Sequence, residues 1–212
     1  MNVFITGASS GIGLAMAKEF AKRGATLGLV ARNASKLDSA LPEIPAPREQ
    51  IHLFSVDVTD KEAMVRVAKK FEDLTGGADI VIANAGISHG VKTEYFEDLA
   101  MLEQIYKTNV FAMAYTFHPF IAPMKTRGRG QLVGIGSVAG IRGLPGSEAY
   151  CASKSAVITY CESLRVEMGK VGILVQTICP GFVKTELTAK NPYKMPFLQT
   201  PEAVSYTHLR AH

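Results

Sequence analysis

Near its start the chain reads Val3-Phe4-Ile5-Thr6-Gly7-Ala8-Ser9-Ser10-Gly11-Ile12-Gly13, an apolar strand that passes through a glycine-rich turn into a helix. Such a turn lets the backbone approach a pyrophosphate closely and directs the positive end of the helix at the phosphates. The spacing is GxxxGxG and not the commoner GxGxxG, so the turn alone is weak evidence, which its place between a strand and an amphipathic helix strengthens. The residues predicted to bind a dinucleotide here are Gly7, Ser9, Ser10, Gly11, Ile12 and Gly13.

The rest of the chain repeats this alternation of strand and helix. Apolar segments predict further strands at residues 26–31, 51–56, 79–83, 131–137 and 173–179. Helical patterns lie between them, at residues 11–23, 36–41, 59–75, 98–126 and 147–170. Near-continuous apolar strands separated by helices are typical of a parallel sheet that is covered on both sides. We therefore predict an α/β fold, a Rossmann-like doubly wound parallel sheet with helices on both faces.

Two of the predicted helices carry local signals of their own. Thr59 followed by Glu62 predicts a capping box at the start of the third helix. Pro119 and Pro123 lie inside the long segment 98–126, and we expect them to kink or interrupt that helix because proline lacks the backbone N–H.

Composition narrows the classes of partner and location. The chain has 212 residues and a net charge of +4 with no dense basic run, so we expect no nucleic-acid partner. The longest apolar-looking stretch, residues 110–124, contains His118 and two prolines, so we expect no membrane span and a cytoplasmic location. The cysteines form no CxxC pair and have no histidine cluster beside them, which predicts no metal site and a reducing compartment.

The C-terminal residues read Ser-Tyr-Thr-His-Leu-Arg-Ala-His from residue 205 to residue 212. This string resembles the translation of a sequencing adapter. We expect residues 1–204 to form one nucleotide-binding domain that also carries the catalytic site. Residues 205–212 are expected to be a non-native tail, with the C-terminal part of the natural fold truncated.

Residues at the ends of the next strands bear on cofactor choice. Arg32 follows the second strand, where an acidic residue would favour NAD(H); a guanidinium can instead pair with a 2′-phosphate, so we predict NADP(H) in preference to NAD(H). The other interpretation is a solvated loop arginine. Asp57 and Val58 follow the third strand, where the carboxylate can contact an adenine edge or simply help to start the helix.

The sequence Asn84-Ala85-Gly86 follows the fourth strand. Small residues there leave room for a cofactor, and the asparagine can tie adjacent loops together. Without a ligand in mind, the same three residues predict only a tight turn.

A second constellation could move a proton. Tyr150 and Lys154 share one helix face at positions i and i+4, and an ammonium beside a phenol favours the phenolate and lowers the phenol pKa. Ser137 lies thirteen residues before Tyr150, at the mouth of a predicted strand. In a chain of this composition the expected number of Tyr-x-x-x-Lys pairs by chance is about one half. Requiring a serine thirteen residues before the tyrosine as well lowers that expected number to roughly 0.03.

Together these motifs resemble those of the short-chain dehydrogenases/reductases in their single-domain form, over roughly residues 1 to 200. Residues 6–13 look like the family's cofactor motif and Asn84-Ala85-Gly86 like its NAG motif. The catalytic tetrad is matched by Asn109, Ser137, Tyr150 and Lys154. The segment over the nicotinamide is matched by Pro180, Gly181, Val183 and Thr185.

The resemblance implies a mechanism. Hydride passes between NADPH and a carbonyl carbon, Tyr150 exchanges the proton with the oxygen, and Ser137 hydrogen-bonds that oxygen. Lys154 holds the nicotinamide ribose and lowers the tyrosine pKa, so both Tyr150 and Lys154 also count as cofactor-binding. Asn109 would anchor a water that links Lys154 to solvent; from the sequence alone it is an ordinary polar helix residue.

We therefore expect an oxidoreductase acting on a small-molecule carbonyl or alcohol, and a homodimer or homotetramer formed through helix surfaces at 98–126 and 147–170. A catalytically silent NADP(H)-binding sensor or scaffold is the alternative, and an epimerase or dehydratase is a third candidate. Substrate contacts are expected from residues 87–91, from 138–144 and from the segment after Pro180. Apolar candidates for the pocket are Ile141, Leu144, Phe182 and Leu187.

Overall fold

Short apolar segments form the strands of one parallel sheet. The computed structural model describes residues 1–189 and 194–209. The strands are β1 (Asn2–Thr6), β2 (Thr26–Ala31), β3 (Ile51–Ser55), β4 (Ile80–Ala83), β5 (Gly130–Ile135) and β6 (Ile173–Ile178). Their order is β3-β2-β1-β4-β5-β6, and every pair of neighbours runs parallel. The predicted fold class is confirmed, and the order reverses between β1 and β4, where such sheets open a crevice at the carboxyl ends of the strands.

Helices cover both faces of this sheet. They are α1 (Gly11–Lys22), α2 (Ala34–Ala40), α3 (Lys61–Thr75), α4 (Leu99–Tyr106), α5 (Ala112–Arg127), α6 (Glu148–Gly169) and α7 (Pro201–Leu209). One core joins α1 and α2 to the strand side chains of Val3 and Ile5, and the other joins α3, α5 and α6 to Phe4. Alternate residues of β1 thus point to opposite faces, as the pleat of a strand requires.

Aromatic packing holds the second core together. The ring of Phe4 lies 5.4 Å from that of Phe71 and 4.9 Å from that of Phe120, in tilted arrangements. Gly28 on the neighbouring strand makes room for this cluster, because a Cβ there would lie 2.7 Å from both Phe4 and Phe71. Distances this short exclude any larger residue without movement of the rings.

The predicted capping box is wrong, and so is the expectation that the prolines interrupt the long helix. The N-cap of α3 is Asp60, whose carboxylate accepts from the Ala63 N–H at 2.9 Å. The Thr59 hydroxyl, which the capping box needed, instead donates to the Asp57 carboxylate at 2.7 Å. The long helix is interrupted by a π-helical segment at Lys107–Phe111, while α5 runs through both of its prolines. Burial of α5 against the sheet offsets the backbone hydrogen bonds that the prolines cannot make.

The predicted C-terminal tail begins inside α7, which packs beside α1. Its residues 210–212 lie outside the described part of the chain. Within the residues that the structure describes, no helix combines the length and apolar character needed to cross a bilayer.

Candidate active site

A cavity of about 300 Å³ opens at the carboxyl ends of the strands. It brings together the glycine turn after β1 and the polar residues around the start of α6. The predicted site residues that line it are Gly7, Ser9, Ser10, Gly11, Ile12, Asn84, Ala85, Gly86, Ser137, Tyr150, Lys154, Pro180, Gly181, Val183 and Thr185. It is also lined by residues that were not among the predicted catalytic or cofactor-binding sets: Ile135, Gly136, Glu186, Leu187 and Thr188.

Five predicted residues do not line this cavity: Gly13, Arg32, Asp57, Val58 and Asn109. Of the four apolar residues expected to shape a substrate pocket, only Leu187 lines it. Ile141 and Leu144 are exposed on the loop after β5. Sequence adjacency to a motif therefore did not by itself place a side chain in the cavity wall.

The glycine turn adopts the backbone that only glycine takes readily. Gly7 and Gly11 have φ values of +65° and +55°. A Cβ on Gly11 would lie 3.2 Å from Cγ2 of Thr185, so the segment after Pro180 crosses close above the turn. The Ser10 N-cap uses its carbonyl to accept from Leu14, and the first turn of α1 carries no acidic residue. Since Ser10, Gly11 and Ile12 line the cavity, the positive end of α1 faces it, and this is a favourable position for an anion.

Gly13 serves the turn by packing. A Cβ there would lie 2.3 Å from the Gly7 carbonyl oxygen and 2.5 Å from Nδ2 of Asn84. The third glycine of the motif therefore lets α1 sit directly against the turn and the end of β4. It supports the cradle without lining the cavity.

Thr6 and Asn84 join the ends of β1 and β4. The Thr6 hydroxyl oxygen accepts from the Asn84 N–H at 3.1 Å and from the Ala85 N–H at 3.2 Å. In return, Nδ2 of Asn84 donates to the carbonyls of Thr6 at 3.0 Å and Gly7 at 3.1 Å. Asn84 thus ties the two loops together. Thr6 lies in the predicted cofactor motif, residues 6–13, but was not among the individually predicted site residues; its position at the end of β1, immediately before the first glycine, was the available signal.

Lys154 is buried, with only 5% of its surface exposed. Its Nζ donates to the Ile135 carbonyl at 2.7 Å and lies 5.8 Å from the centre of the Tyr150 ring. Burial lowers the Lys154 pKa to about 8, against a small opposing effect of Cys179. A cation held this close to a phenol favours the phenolate.

Ser137 lies just beyond the end of β5 and is buried. Its hydroxyl oxygen accepts from the Ala139 N–H at 3.1 Å, and this bond starts a short 3₁₀ turn. The Ser137 N–H donates to the sulfur of Cys179, whose pKa is raised by burial despite that bond and the nearby Lys154. Cys179 is therefore a neutral thiol at neutral pH.

Asn109 is buried in the π-helical segment. Its Oδ1 accepts from the Ile87 N–H at 2.8 Å, and its Nδ2 donates to the Ile87 carbonyl and to the Ser153 hydroxyl, both at 3.0 Å. A Cβ on Gly86 would lie 3.2 Å from Oδ1 of Asn109 and 3.6 Å from Nζ of Lys154. Asn109 thus does not line the cavity, and its side-chain oxygen and the Lys154 ammonium both lie close to Gly86.

Arg32 and Asp57 meet at the ends of β2 and β3. The two side chains are 74% and 43% exposed, and Nη1 of Arg32 lies 3.8 Å from Oδ2 of Asp57. Partial burial raises the Asp57 pKa, but hydrogen bonds from Thr59 and the Arg32 charge outweigh it and hold the pKa below its ordinary value. The Asp57 carboxyl is therefore ionised at neutral pH. Among the described residues no group of three or more His, Cys, Asp or Glu side chains could hold a metal ion.

Known proteins share this architecture. The family model for short chain dehydrogenases matches residues 1–195. An uncharacterized oxidoreductase of Myxococcus xanthus is 39% identical over 94% of this chain and 79% of its own length, and gluconate 5-dehydrogenase of Gluconobacter oxydans is 35% identical over 88% and 72%. The structure of ElxO with NADP bound superposes with a TM-score of 0.86 at 28% identity, covering 99% of this chain and 90% of that one. The chain belongs to the short chain dehydrogenase family of oxidoreductases, which bind a nicotinamide cofactor.

Proposed function

We propose that this chain is an NADP(H)-dependent oxidoreductase that interconverts a carbonyl and an alcohol on a small molecule, with Tyr150 as general acid and base. One observation carries the proposal. A single cavity is lined both by the glycine turn at the positive end of α1 and by Ser137, Tyr150 and Lys154. Nucleotide binding and proton transfer can therefore take place side by side.

The cavity suits a nicotinamide dinucleotide. The glycines of the turn leave the backbone open to a pyrophosphate, and α1 presents its positive end there. Tyr150 and Lys154 would hold the nicotinamide ribose, and the segment at Pro180, Gly181, Val183 and Thr185 would cover the ring. When bound, the cofactor supplies or accepts a hydride.

The protein side of the reaction concerns one proton and one oxygen. Lys154, as a buried cation 5.8 Å from the centre of the Tyr150 ring, would favour the phenolate that forms when Tyr150 gives up its proton. Ser137 accepts from Ala139 through its oxygen, which leaves its hydroxyl hydrogen to donate to the substrate oxygen as charge develops there.

The preference for NADP(H) rests on Arg32. Its guanidinium is largely exposed and its contact with Asp57 is long, and exposed ion pairs of this kind contribute only about 0–1 kcal/mol. The guanidinium is therefore free to turn to a 2′-phosphate, with which it can form a forked contact. The bound NADP named for the structural neighbour agrees with this choice.

Two variants test the proposal. Wild-type protein is screened against a panel of ketones and aldehydes with NADPH and with NADH. Tyr150→Phe should bind NADPH as wild type does but lose nearly all turnover, and Arg32→Asp should shift the kcat/KM preference toward NADH. Arg66→Asp on the exposed face of α3 makes the same charge change away from the cavity and is the control. NADPH binding without oxidation across the panel would favour the silent sensor or scaffold.

We further propose a cytoplasmic homodimer or homotetramer in which residues 1–204 act as one domain. Exposed apolar side chains on α6, Tyr160 and Val166, and Phe111 before α5 support assembly through these helices. The free cysteines are consistent with a reducing compartment. Light scattering on the protein as it leaves a size-exclusion column gives the mass of the assembly directly. A monomer at micromolar concentration would refute the proposed dimer or tetramer.

A further inference from the structure

Ser153 lies between Tyr150 and Lys154 in α6, yet it does not line the cavity. It is fully buried, with 0% of its surface exposed. Its hydroxyl donates to the Tyr150 carbonyl at 2.7 Å and accepts from Nδ2 of Asn109 at 3.0 Å. A serine hydroxyl has one hydrogen, so these two bonds define its donor and acceptor roles.

The Asn109 amide is held on its other side by a single residue. Its second N–H donates to the Ile87 carbonyl at 3.0 Å, while its oxygen accepts from the Ile87 N–H at 2.8 Å. Both hydrogens of the amide are therefore used, and turning it over would set donor against donor and acceptor against acceptor. The four groups form a chain of hydrogen bonds that is buried at its centre and partly buried at its ends, the Ser153 relay: the Ile87 backbone, the Asn109 amide, the Ser153 hydroxyl and the Tyr150 carbonyl.

The Ser153 relay connects the loop after β4 to the turn of α6 that carries the reactive side chains. Gly86 packs beside it, because a Cβ on Gly86 would lie 3.2 Å from Oδ1 of Asn109 and 3.6 Å from Nζ of Lys154. The π-helical segment brings Asn109 to this position. We therefore expect that weakening the bond between Asn109 and Ser153 would let the β4 loop and the α6 turn move apart.

We propose that Ser153 is a positioning residue, whose hydroxyl holds Tyr150 and Lys154 at their working distance from the loop after β4. This inference rests on the proposed function, since the geometry that it maintains is that of the proton-transfer pair. The hydroxyl acts through its neighbours and does not contact the cavity.

Thr116 offers a matched control on another helix. It is 1% exposed, and its hydroxyl donates to the Ala112 carbonyl at 2.7 Å within α5. Thr116→Val thus removes a buried hydroxyl and one bond to a helix carbonyl, as Ser153→Ala does. The difference is that Ser153→Ala also removes the acceptor for Asn109.

The first measurement needs no turnover. The Ile87 amide hydrogen is bound by the Asn109 side chain, so its exchange with solvent, followed by NMR, reports on the Ser153 relay. Ser153→Ala should speed this exchange on the order of tenfold, the effect of weakening one buried contact, while Thr116→Val leaves it unchanged. Unchanged Ile87 exchange in Ser153→Ala overturns the proposal.

The second measurement is kinetic. Ser153→Ala should lower kcat on the order of tenfold through misplacement of Tyr150, with the Kd for NADPH within about twofold of wild type. In an Asn109→Ala background the same substitution should lower kcat by less than about twofold, because the two residues act as one unit. Equal losses of kcat in Ser153→Ala and Thr116→Val, or full additivity with Asn109→Ala, would overturn the positioning role.

Ser153→Cys gives a second variant if Ser153→Ala proves unstable. It fills the buried site but offers only a weak donor, so it should show the same pattern in smaller measure. A wild-type protein that binds NADPH and turns over no carbonyl compound would refute the proposed function instead. In that case Ile87 exchange still decides whether Ser153 holds the Asn109 amide.

Discussion

Replacement of Lys154 by methionine should abolish turnover and, at neutral pH, stabilise the fold. Burial lowers the pKa of this lysine from 10.5 to about 8. Because each pKa unit corresponds to about 1.4 kcal/mol, keeping the ammonium buried costs about 3 kcal/mol of folding free energy at neutral pH. Methionine removes that cost. It also leaves the Ile135 carbonyl without its 2.7 Å bond from Nζ, a loss of about 1–2 kcal/mol at every pH.

The pH dependence separates the two contributions. Since the folded-state pKa lies below the unfolded one, the unfolded chain holds more protons between about pH 8 and pH 10.5, and wild-type stability rises with pH in that window. The cost of the buried charge is complete below about pH 8. Lys154→Met should therefore be about 1–2 kcal/mol more stable than wild type near pH 7, and that advantage should fall by about 2 kcal/mol near pH 9.5.

Urea unfolding followed by far-ultraviolet circular dichroism measures this difference, since the chain has no tryptophan to report by fluorescence. Lys170→Met is the control, because Lys170 is exposed just beyond the end of the same helix. Its stability should follow that of wild type at both pH values. If the difference between Lys154→Met and wild type does not change with pH, the ammonium is not desolvated in the folded protein and the reasoning fails.

Two further substitutions test how the cavity is built. Gly13→Ala should lower the free energy of unfolding by about 2–4 kcal/mol, because its Cβ would overlap the Gly7 carbonyl and break a hydrogen bond of Asn84. Gly169→Ala is the control and should leave the free energy of unfolding unchanged, because a Cβ there meets no atom within 4 Å. Equal urea midpoints for the two variants would contradict the predicted overlap at Gly13. Thr6→Val should cost about 2–4 kcal/mol, because two partly buried N–H groups, those of Asn84 and Ala85, lose their acceptor. It should also weaken NADPH binding in a fluorescence titration, and wild-type affinity would show that cofactor binding does not need this link between β1 and β4.

The order of elements was predictable because its signals are local. The glycine turn after β1, the apolar strands and the helical spacing of α6 each lie within one segment of sequence, where periodicity and turn chemistry apply directly. The N-cap of α3 was missed because Asp57, Thr59 and Asp60 compete for the same few backbone groups. The prolines of α5 misled for a related reason, since tertiary burial outweighed a strong local preference.

The site residues likewise divide into those that local sequence signals predict and those that depend on contacts between distant segments. The pairing of Tyr150 with Lys154 follows from one helical turn, and their place beside the glycine turn follows from the parallel sheet. Ser153, by contrast, is one polar residue among many in α6 until Asn109 is brought against it from a helix more than forty positions away.

By itself, the sequence determined which chemical groups the chain carries and which neighbours along one strand or helix they share. Only the tertiary structure decided which of them are desolvated, since the lowered pKa of Lys154 and the inward place of Asn109 depend on packing between distant segments. The physical reason is that hydrogen-bond geometry along a helix repeats every few residues, whereas burial and electrostatics depend on every atom that the fold brings near.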